Sequence, residues 1–137
     1  FINFGANPAF HGQIATLSVR QDFLLIKQTL ATPGQGRVLV IDGDGFMGCA
    51  LLGDSLAAMA IKNEWGGAVI NGCIRDSSEL VGLEIGILAL GICPVRPAQV
   101  GAGKADIDVT FSGIVFRPGE YLYADQDGVV TSPNLYQ

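Results

Sequence analysis

Apolar and polar positions in the first part of the chain switch between strand-like and helix-like spacing. Residues 11–19 alternate as in a strand, and residues 22–30 carry apolar side chains at helical spacing until Pro33 and Gly34. The continuous apolar run over 37–42 is typical of a strand that is buried on both faces. The chain therefore opens with a strand, a helix and a second strand.

The most regular helical pattern lies over residues 54–64, where four apolar side chains fall on one face. Asp54 is expected to cap the N-terminus of this helix. A short strand is predicted before it over 47–52, a buried strand after it over 68–74, and a further helix over 78–83. Strands and helices therefore alternate through the middle of the chain.

The last part of the chain has only strand-like spacing. It predicts four short strands joined by tight turns, at 107–111, 114–116, 121–124 and 129–131. The 19 glycines are spread along the sequence instead of being concentrated in one linker. We therefore expect residues 1–137 to form a single domain of mixed α and β structure.

The charge balance argues against several classes of protein. Thirteen acidic and eight basic residues give a formal net charge of −5, so the surface on average repels nucleic-acid phosphates. Apolar stretches are interrupted well before the ~20 residues that a membrane-spanning helix needs, and the first residues do not have the pattern of a secretory signal. We therefore expect neither a nucleic-acid partner nor a membrane partner.

The cysteines and the single histidine do not form a recognisable reactive centre. Cys49, Cys73 and Cys93 are odd in number and lack the paired spacing of zinc ligands, so we expect three buried, reduced thiols in a cytoplasmic protein. Without a second histidine, no cysteine or serine has the usual activating base. His11 is therefore expected to be a packed or surface residue.

Two glycine-rich segments invite ligand-binding interpretations that we consider weak. The spacing over 43–48 matches a dinucleotide fingerprint, but the next residues are strand-like, and Asp42 and Asp44 would place negative charge beside the phosphates. The same aspartates and those of 125–128 suggest calcium loops, but each loop lacks a third carboxylate and the closing Glu. Both segments are expected to be turns.

Polar residues at the exits of two predicted strands are the best candidates for a site. In sheets that alternate with helices, ligands gather beyond the carboxyl ends of the strands. The amides of Asp54, Ser55 and Leu56, together with the helix dipole, can hold a substrate carboxylate. Arg75 offers two parallel donors to a carboxylate or an enolate oxygen, and Asp76 can hold a divalent cation.

A purely structural interpretation of the same residues stays open at this point. Asp54 could serve only to cap its helix, and Arg75 could pair with Asp76 or Glu79. The catalytic interpretation requires that Arg75 and Asp76 share a cavity with the amides of the 53–56 turn. A closed, buried ion pair would exclude it.

Several blocks of residues occur together in a fixed order, and their combination resembles the RraA-like family. This family is named for the regulator of ribonuclease activity A and also includes the class II 4-hydroxy-4-methyl-2-oxoglutarate aldolases. The resemblance covers most of the chain. The blocks are Gly53-Asp54-Ser-Leu56-Ala57 to Ala60, Asn63-Glu-Trp65-x-Gly67, Val69-Ile-Asn-Gly72-x-Ile-Arg75-Asp76, Gly86-Ile-x-Ala89-Leu-Gly91, Gly113-x-Val115, Pro118-Gly119-Glu120 and Tyr123-Ala-Asp125-x-Asp127-Gly128.

The resemblance implies an α/β fold of the swivelling β/β/α type, in three layers, over residues 1–137 as one RraA-like domain with further residues expected before Phe1. It also implies a ring-shaped homotrimer with a site near a subunit interface. Mg²⁺ or Mn²⁺ is expected at Asp76. Substrate is expected at Arg75 and at the turn formed by Gly53, Asp54, Ser55 and Leu56.

The activity implied by the resemblance is a metal-dependent carbon–carbon lyase acting on a small 2-oxo acid. Aldolase members cleave 4-hydroxy-4-methyl-2-oxoglutarate to two pyruvates and often decarboxylate oxaloacetate, because both reactions pass through pyruvate enolate. Arg75 suits the enolate oxygen, because it adds a fixed positive charge there. Asp54, or water that it positions, is expected to transfer the proton.

The alternative function is a non-catalytic regulator that binds and inhibits ribonuclease E or a similar RNA-processing protein. An acidic surface could cover the arginine-rich segments of such a partner. The presence of Asp76 favours the enzyme, because an inhibitor needs no carboxylate beside Arg75. No S-adenosylmethionine site is evident, so a methyltransferase activity, which some relatives have been assigned, is not expected.

Overall fold

A large mixed sheet dominates the computed structural model, which describes residues 1–136. The sheet holds nine strands of this part of the chain, and a separate two-stranded hairpin lies beside it. The strands are β1 Ile2–Asn3, β2 Phe10–Val19, β3 Val38–Asp42, β4 Ala50–Leu52, β5 Gly67–Ile74, β6 Gly86–Ile92, β7 Gly103–Ala105, β8 Val109–Phe111, β9 Ile114–Phe116, β10 Tyr121–Asp125 and β11 Gly128–Ser132. The helices are α1 Leu24–Leu30, α2 Asp54–Lys62 and α3 Ser77–Leu80.

The centre of the sheet is parallel and its borders are antiparallel. The main path runs in the order β1-β6-β5-β3-β2-β10-β11, with β4 paired to β5 and β7 paired to β2. Strands β2, β3, β5 and β6 are parallel to one another, and β4 is parallel to β5. Strands β1, β7 and β10 join antiparallel. Because β4 and β5 are parallel, the turns that follow them leave the sheet at the same edge.

The two faces of the sheet bury separate hydrophobic clusters. In β3, Leu39 and Ile41 pack in the cluster that includes the helices, whereas Val38 and Val40 pack in the cluster that includes the β8–β9 hairpin. This confirms that the apolar run of β3 is buried on both faces. The helices, the sheet and the hairpin form three layers, so the predicted β/β/α class is correct.

Most predicted elements are confirmed within a few residues, and there are three differences. Gly53, in extended backbone, is the N-cap of α2, so Asp54 is the first helical residue and does not cap the helix with its side chain. The helix predicted over 78–83 is a single turn, Ser77–Leu80. Strands β1, β6 and β7 were not predicted.

The cysteines are free, as predicted, but they are not all buried. Cys49 and Cys73 are buried, whereas Cys93 is partly exposed. Burial raises the pKa of both buried thiols. Among residues 1–136, no helix is both long enough and apolar enough to cross a lipid bilayer.

Candidate active site at the ends of β4 and β5

The two segments singled out from the sequence lie side by side. Strand β4 leads into Gly53 and α2, and β5 leads into Arg75 and Asp76. Leu52 is paired with Ile74 in the parallel ladder, and the Arg75 amide continues the contact by donating to the Leu52 carbonyl at 3.0 Å. The pairing of β4 with β5 therefore places both predicted halves of the site at one edge of the sheet.

Asp76 changes the direction of the chain directly after the strand. Its backbone is left-handed, with φ 60° and ψ 41°. Consecutive residues of a regular strand point to opposite faces, but this conformation brings Asp76 Oδ2 to 3.9 Å from Arg75 Nε. The two side chains are 33% and 34% exposed, so they are neighbours at the surface of the site and not a closed, buried ion pair.

The carboxylate of Asp76 also contacts the beginning of α2. Asp76 Oδ2 accepts a hydrogen bond from the Asp54 amide at 3.1 Å. This corrects one expectation, because the Asp54 amide is occupied by a protein group and is not free to bind substrate. The Ser55 and Leu56 amides have no hydrogen-bond partner within residues 1–136. These two remain available to an anion at the N-terminus of a helix.

Gly53 is required by the close approach of Asp76 to the start of α2. A Cβ on Gly53 would lie 2.5 Å from Asp76 Oδ2 and 3.1 Å from Arg75 Nε. Its φ of −129° is open to any residue, so the requirement is steric and not conformational. The sequence offered Gly53 only as part of a substrate-binding turn, and the structure adds a reason for the absence of a side chain.

A cleft of about 320 Å³ opens at this edge of the sheet. The 53–56 turn and Arg75 line it, whereas Asp76 does not line it directly and reaches it through its contacts with Asp54 and Arg75. Two further cations, Lys27 of α1 and Arg96 of the β6–β7 connection, were not predicted to belong to the site. The remaining lining residues are Phe23, Ala50, Leu51, Leu52, Met59, Pro97 and Gln99.

The fit of a divalent cation depends on Asp76. No group of three or more His, Cys, Asp or Glu side chains able to hold a metal occurs in the part of the chain that the structure describes. Asp76 Oδ1 has no hydrogen-bond partner among residues 1–136 and can therefore offer one oxygen. Mg²⁺ keeps several waters and is commonly held by only one or two carboxylates. The donors present fit such a hydrated cation and do not fit one held by protein ligands alone.

The other motifs are turns or surface residues, as predicted. Asp42 accepts the amide of Asp44, so the 43–48 segment begins with a local turn, and the segment leads into β4 instead of a helix. Asp125 forms the same kind of turn between β10 and β11. His11 is exposed and stacks on Tyr123, with ring centroids 5.8 Å apart.

Comparison with known proteins identifies the family of the chain and confirms its fold. The family model described as RraA-like, aldolase/RraA, matches residues 2–131. The chain belongs to the RraA-like family. Among the relatives of this RraA-like chain is a protein of Aromatoleum aromaticum that is 50% identical over 132 residues, which are 96% of this chain and 83% of that protein. That relative bears the provisional name 4-hydroxy-4-methyl-2-oxoglutarate aldolase.

Two solved structures of RraA-like relatives share almost the whole fold. The RNA-processing inhibitor RraA from Thermus thermophilus superposes with a TM-score of 0.98 and 38% identity, over 100% of this chain and 84% of that chain. A protein of Geobacillus kaustophilus, described as an S-adenosylmethionine:2-dimethylmenaquinone methyltransferase, superposes with a TM-score of 0.97 and 43% identity, over 98% of this chain and 84% of that chain. One RraA-like fold thus carries three different descriptions, so function has to be argued from the site.

Proposed function

We propose that this RraA-like protein is a carbon–carbon lyase acting on short 2-oxo dicarboxylates. Its reactions would be cleavage of 4-hydroxy-4-methyl-2-oxoglutarate to two pyruvates and decarboxylation of oxaloacetate. The observation that carries the proposal is the position of Arg75, which lines the same cleft as the free amides of Ser55 and Leu56, with Asp76 beside it. The provisional aldolase name of the Aromatoleum aromaticum relative supports the same reaction class.

The cleft supplies the groups that bind and orient the 2-oxo acid. The amides of Ser55 and Leu56, at the positive end of the α2 dipole, would bind the carboxylate next to the 2-oxo group. Arg75 would then face the 2-oxo oxygen, which carries negative charge as the enolate forms. Both groups are fixed by the backbone pairing of β4 with β5, so little reorganisation is needed during the reaction.

Both reactions release the same enolate. In the aldol substrate the bond between C3 and C4 breaks, the C4 hydroxyl loses its proton and becomes the carbonyl of one pyruvate, and the bonding pair forms the enolate of the other. In oxaloacetate the C4 carboxylate leaves as carbon dioxide and the bonding pair forms the same enolate. Protonation at C3 completes each reaction. The Asp54 side chain lines the cleft and is our candidate for moving these protons, directly or through water.

The proposed cofactor is Mg²⁺ or Mn²⁺, with Asp76 as the protein residue that holds it. Such a cation would supply Lewis-acid polarisation of the 2-oxo group when bound. The chain's own contribution is to orient the Asp76 carboxylate, which accepts a hydrogen bond from the Asp54 amide and lies beside the Arg75 guanidinium. A homotrimer, as the family resemblance implies, is part of the proposal.

The test is a coupled assay in which a dehydrogenase reports the pyruvate released from each substrate, with and without Mg²⁺. We expect metal-dependent release, and Asp76→Asn should abolish the metal dependence because the amide keeps the acceptor for the Asp54 amide but removes the charge. Arg75→Gln should lower kcat about 10²–10³-fold, as expected when a donor to a developing oxyanion is lost. The matched control is Glu79→Gln, which removes an exposed carboxylate from the next helical turn. Absence of metal-dependent release, or equal effects of the two carboxylate variants, would refute the lyase.

A second candidate function is inhibition of ribonuclease E or a similar RNA-processing protein. It is favoured by the TM-score of 0.98 to the Thermus thermophilus inhibitor and by the net charge of −5, which suits a basic partner. An RNA-cleavage assay with added protein tests it. Inhibition that survives in Asp76→Asn, while pyruvate release is lost, would assign the two activities to different surfaces.

A further inference from the structure

The cleft contains more positive charge than the proposed reaction uses. Three of the chain's eight basic residues, Lys27, Arg75 and Arg96, line it, although the chain as a whole has a net charge of −5. The only acidic residue in the lining is Asp54. Neither Lys27 nor Arg96 forms a salt bridge within residues 1–136. Both cations are therefore available to an anion in the cleft.

Lys27 and Arg96 are far apart in the sequence, but one buried carboxylate fastens their segments together. Asp22 is 1% exposed. Its Oδ1 accepts the Leu24 amide, at the start of α1, at 2.9 Å, and its Oδ2 accepts the amides of Val100 at 2.6 Å and Gly101 at 3.0 Å. The segment after Arg96 is thereby fixed to the beginning of the helix that carries Lys27.

Backbone contacts reinforce this attachment. The Ala98 amide donates to the Gln21 carbonyl at 2.8 Å, and the Phe23 amide donates to the Ala98 carbonyl at 3.1 Å. Phe23 lines the cleft one helical turn before Lys27, and Pro97 and Gln99 line it beside Arg96. The two cations therefore belong to one fixed wall of the cleft, and Arg75 and the 53–56 turn belong to the sheet edge.

We propose that Lys27 and Arg96 bind the distal carboxylate of the substrate and make the site selective for dianionic 2-oxo acids over monoanions of the size of pyruvate. This inference rests on the proposed lyase function, because Arg75 and the 53–56 turn hold the other end of the same molecule. The volume of about 320 Å³ is at the lower end of the roughly 300–1,000 Å³ typical of ligand sites, which suits a substrate of this small size. After cleavage each pyruvate carries one carboxylate, so neither product is held at both ends.

The experiment measures binding of two unreactive or product-like probes by calorimetry, in the presence of Mg²⁺. Pyruvate tests the sheet-edge half of the site alone, and 2-oxoglutarate tests both halves. In Arg96→Gln and in Lys27→Gln we expect about a tenfold weaker binding of 2-oxoglutarate, the loss of one hydrogen bond to a charged group. Pyruvate binding should change less than twofold. Arg117→Gln, which removes an exposed cation from the β9–β10 connection, is the matched control and should change neither.

The outcomes separate the two proposals. If the unmodified protein releases pyruvate but both probes weaken equally in Arg96→Gln and Lys27→Gln, or neither weakens, the selectivity inference is wrong and the lyase stands. If the unmodified protein neither releases pyruvate nor binds either probe, the lyase fails and the inference fails with it. Fluorescence of Trp65, which is 5% exposed, verifies that each variant is folded.

Discussion

Replacement of Asp22 by Asn should destabilise the protein strongly for a single-atom change. The carboxylate is 1% exposed and accepts three backbone amides, from Leu24, Val100 and Gly101. Asn keeps one acceptor for Leu24, but its NH₂ group would face the other two N–H donors. Each hydrogen bond to a charged group contributes about 1.5–3 kcal/mol, and an orphaned buried donor adds its desolvation. We therefore expect a loss of about 3–5 kcal/mol in the free energy of unfolding.

The measurement is urea unfolding followed by fluorescence of Trp65, the only tryptophan. A domain of this size has a total stability of roughly 5–15 kcal/mol, so the expected loss is a large fraction and the midpoint should move clearly. Asp108→Asn is the matched control, because Asp108 is exposed and makes only a 3.8 Å surface pair with Arg117. A loss below about 1 kcal/mol for Asp22→Asn would refute the conclusion that Asp22 holds the segment after Arg96 against the beginning of α1.

The effect should depend on pH in a defined direction. Burial raises the pKa of Asp22, but hydrogen bonds from backbone amides, among them those of Leu24, Val100 and Gly101, outweigh it and hold the pKa below its ordinary value of 3.8. Its stabilisation is thus complete above that value and is lost as the pH falls through the lower pKa of the folded state. The difference between the two proteins should shrink in acid. Asp22→Asn should also weaken the binding of 2-oxoglutarate more than the binding of pyruvate. A general loss of stability would weaken the binding of both probes equally.

Two further predictions concern the site and the thiols. Gly53→Ala should lower pyruvate release more than tenfold, because the added methyl would lie 2.5 Å from Asp76 Oδ2 and displace that oxygen from the Asp54 amide. The control is Gly82→Ala, whose Cβ would meet only a carbonyl at 3.8 Å and which should keep full activity. A Gly53→Ala protein that is well folded and fully active would contradict this prediction. In the native protein iodoacetamide should modify Cys93 first, because burial shields Cys49 and Cys73 and raises their pKa. Mass analysis of peptides measures the rate of modification of each thiol. Equal rates for the three thiols would show that the partial exposure of Cys93 has no effect on its reactivity.

The sequence predicts those parts of the fold in which a single segment has its own pattern of apolar and polar residues. The β3 run predicts a strand buried on both faces because residues 38–41 are all apolar, and Leu39 and Val40 indeed pack on opposite sides. Strand β6 carries the same signal over Gly86–Ile92 and was missed, although its apolar run was present. Strands β1 and β7, with two and three residues, have no pattern of their own and exist only because β6 and β2 pair with them.

The candidate site divides in the same way. Arg75 and Asp76 could be predicted because they follow a buried strand, and the 53–56 turn because it precedes an amphipathic helix. Asp54 was misjudged as a cap because aspartate is common there, whereas the cap position has to be glycine to admit the Asp76 carboxylate. The sequence could not assign Lys27 and Arg96 to the site. Lys27 looks like any solvent-exposed lysine of a helix, and its proximity to Arg96 depends on the long-range contacts of Asp22.

At Asp76, the residue that best suits the left-handed backbone differs from the residue that the proposed reaction needs. Its φ of 60° is a conformation that asparagine and glycine adopt more readily than most residues, and Asn would still accept the Asp54 amide. Replacing the Asp76 carboxylate by a neutral side chain would therefore remove the charge that the proposed reaction needs without lowering the stability of the fold. Variants selected only for thermostability should therefore accumulate neutral residues at position 76. Engineering of a more stable protein has to measure catalytic activity together with the melting temperature.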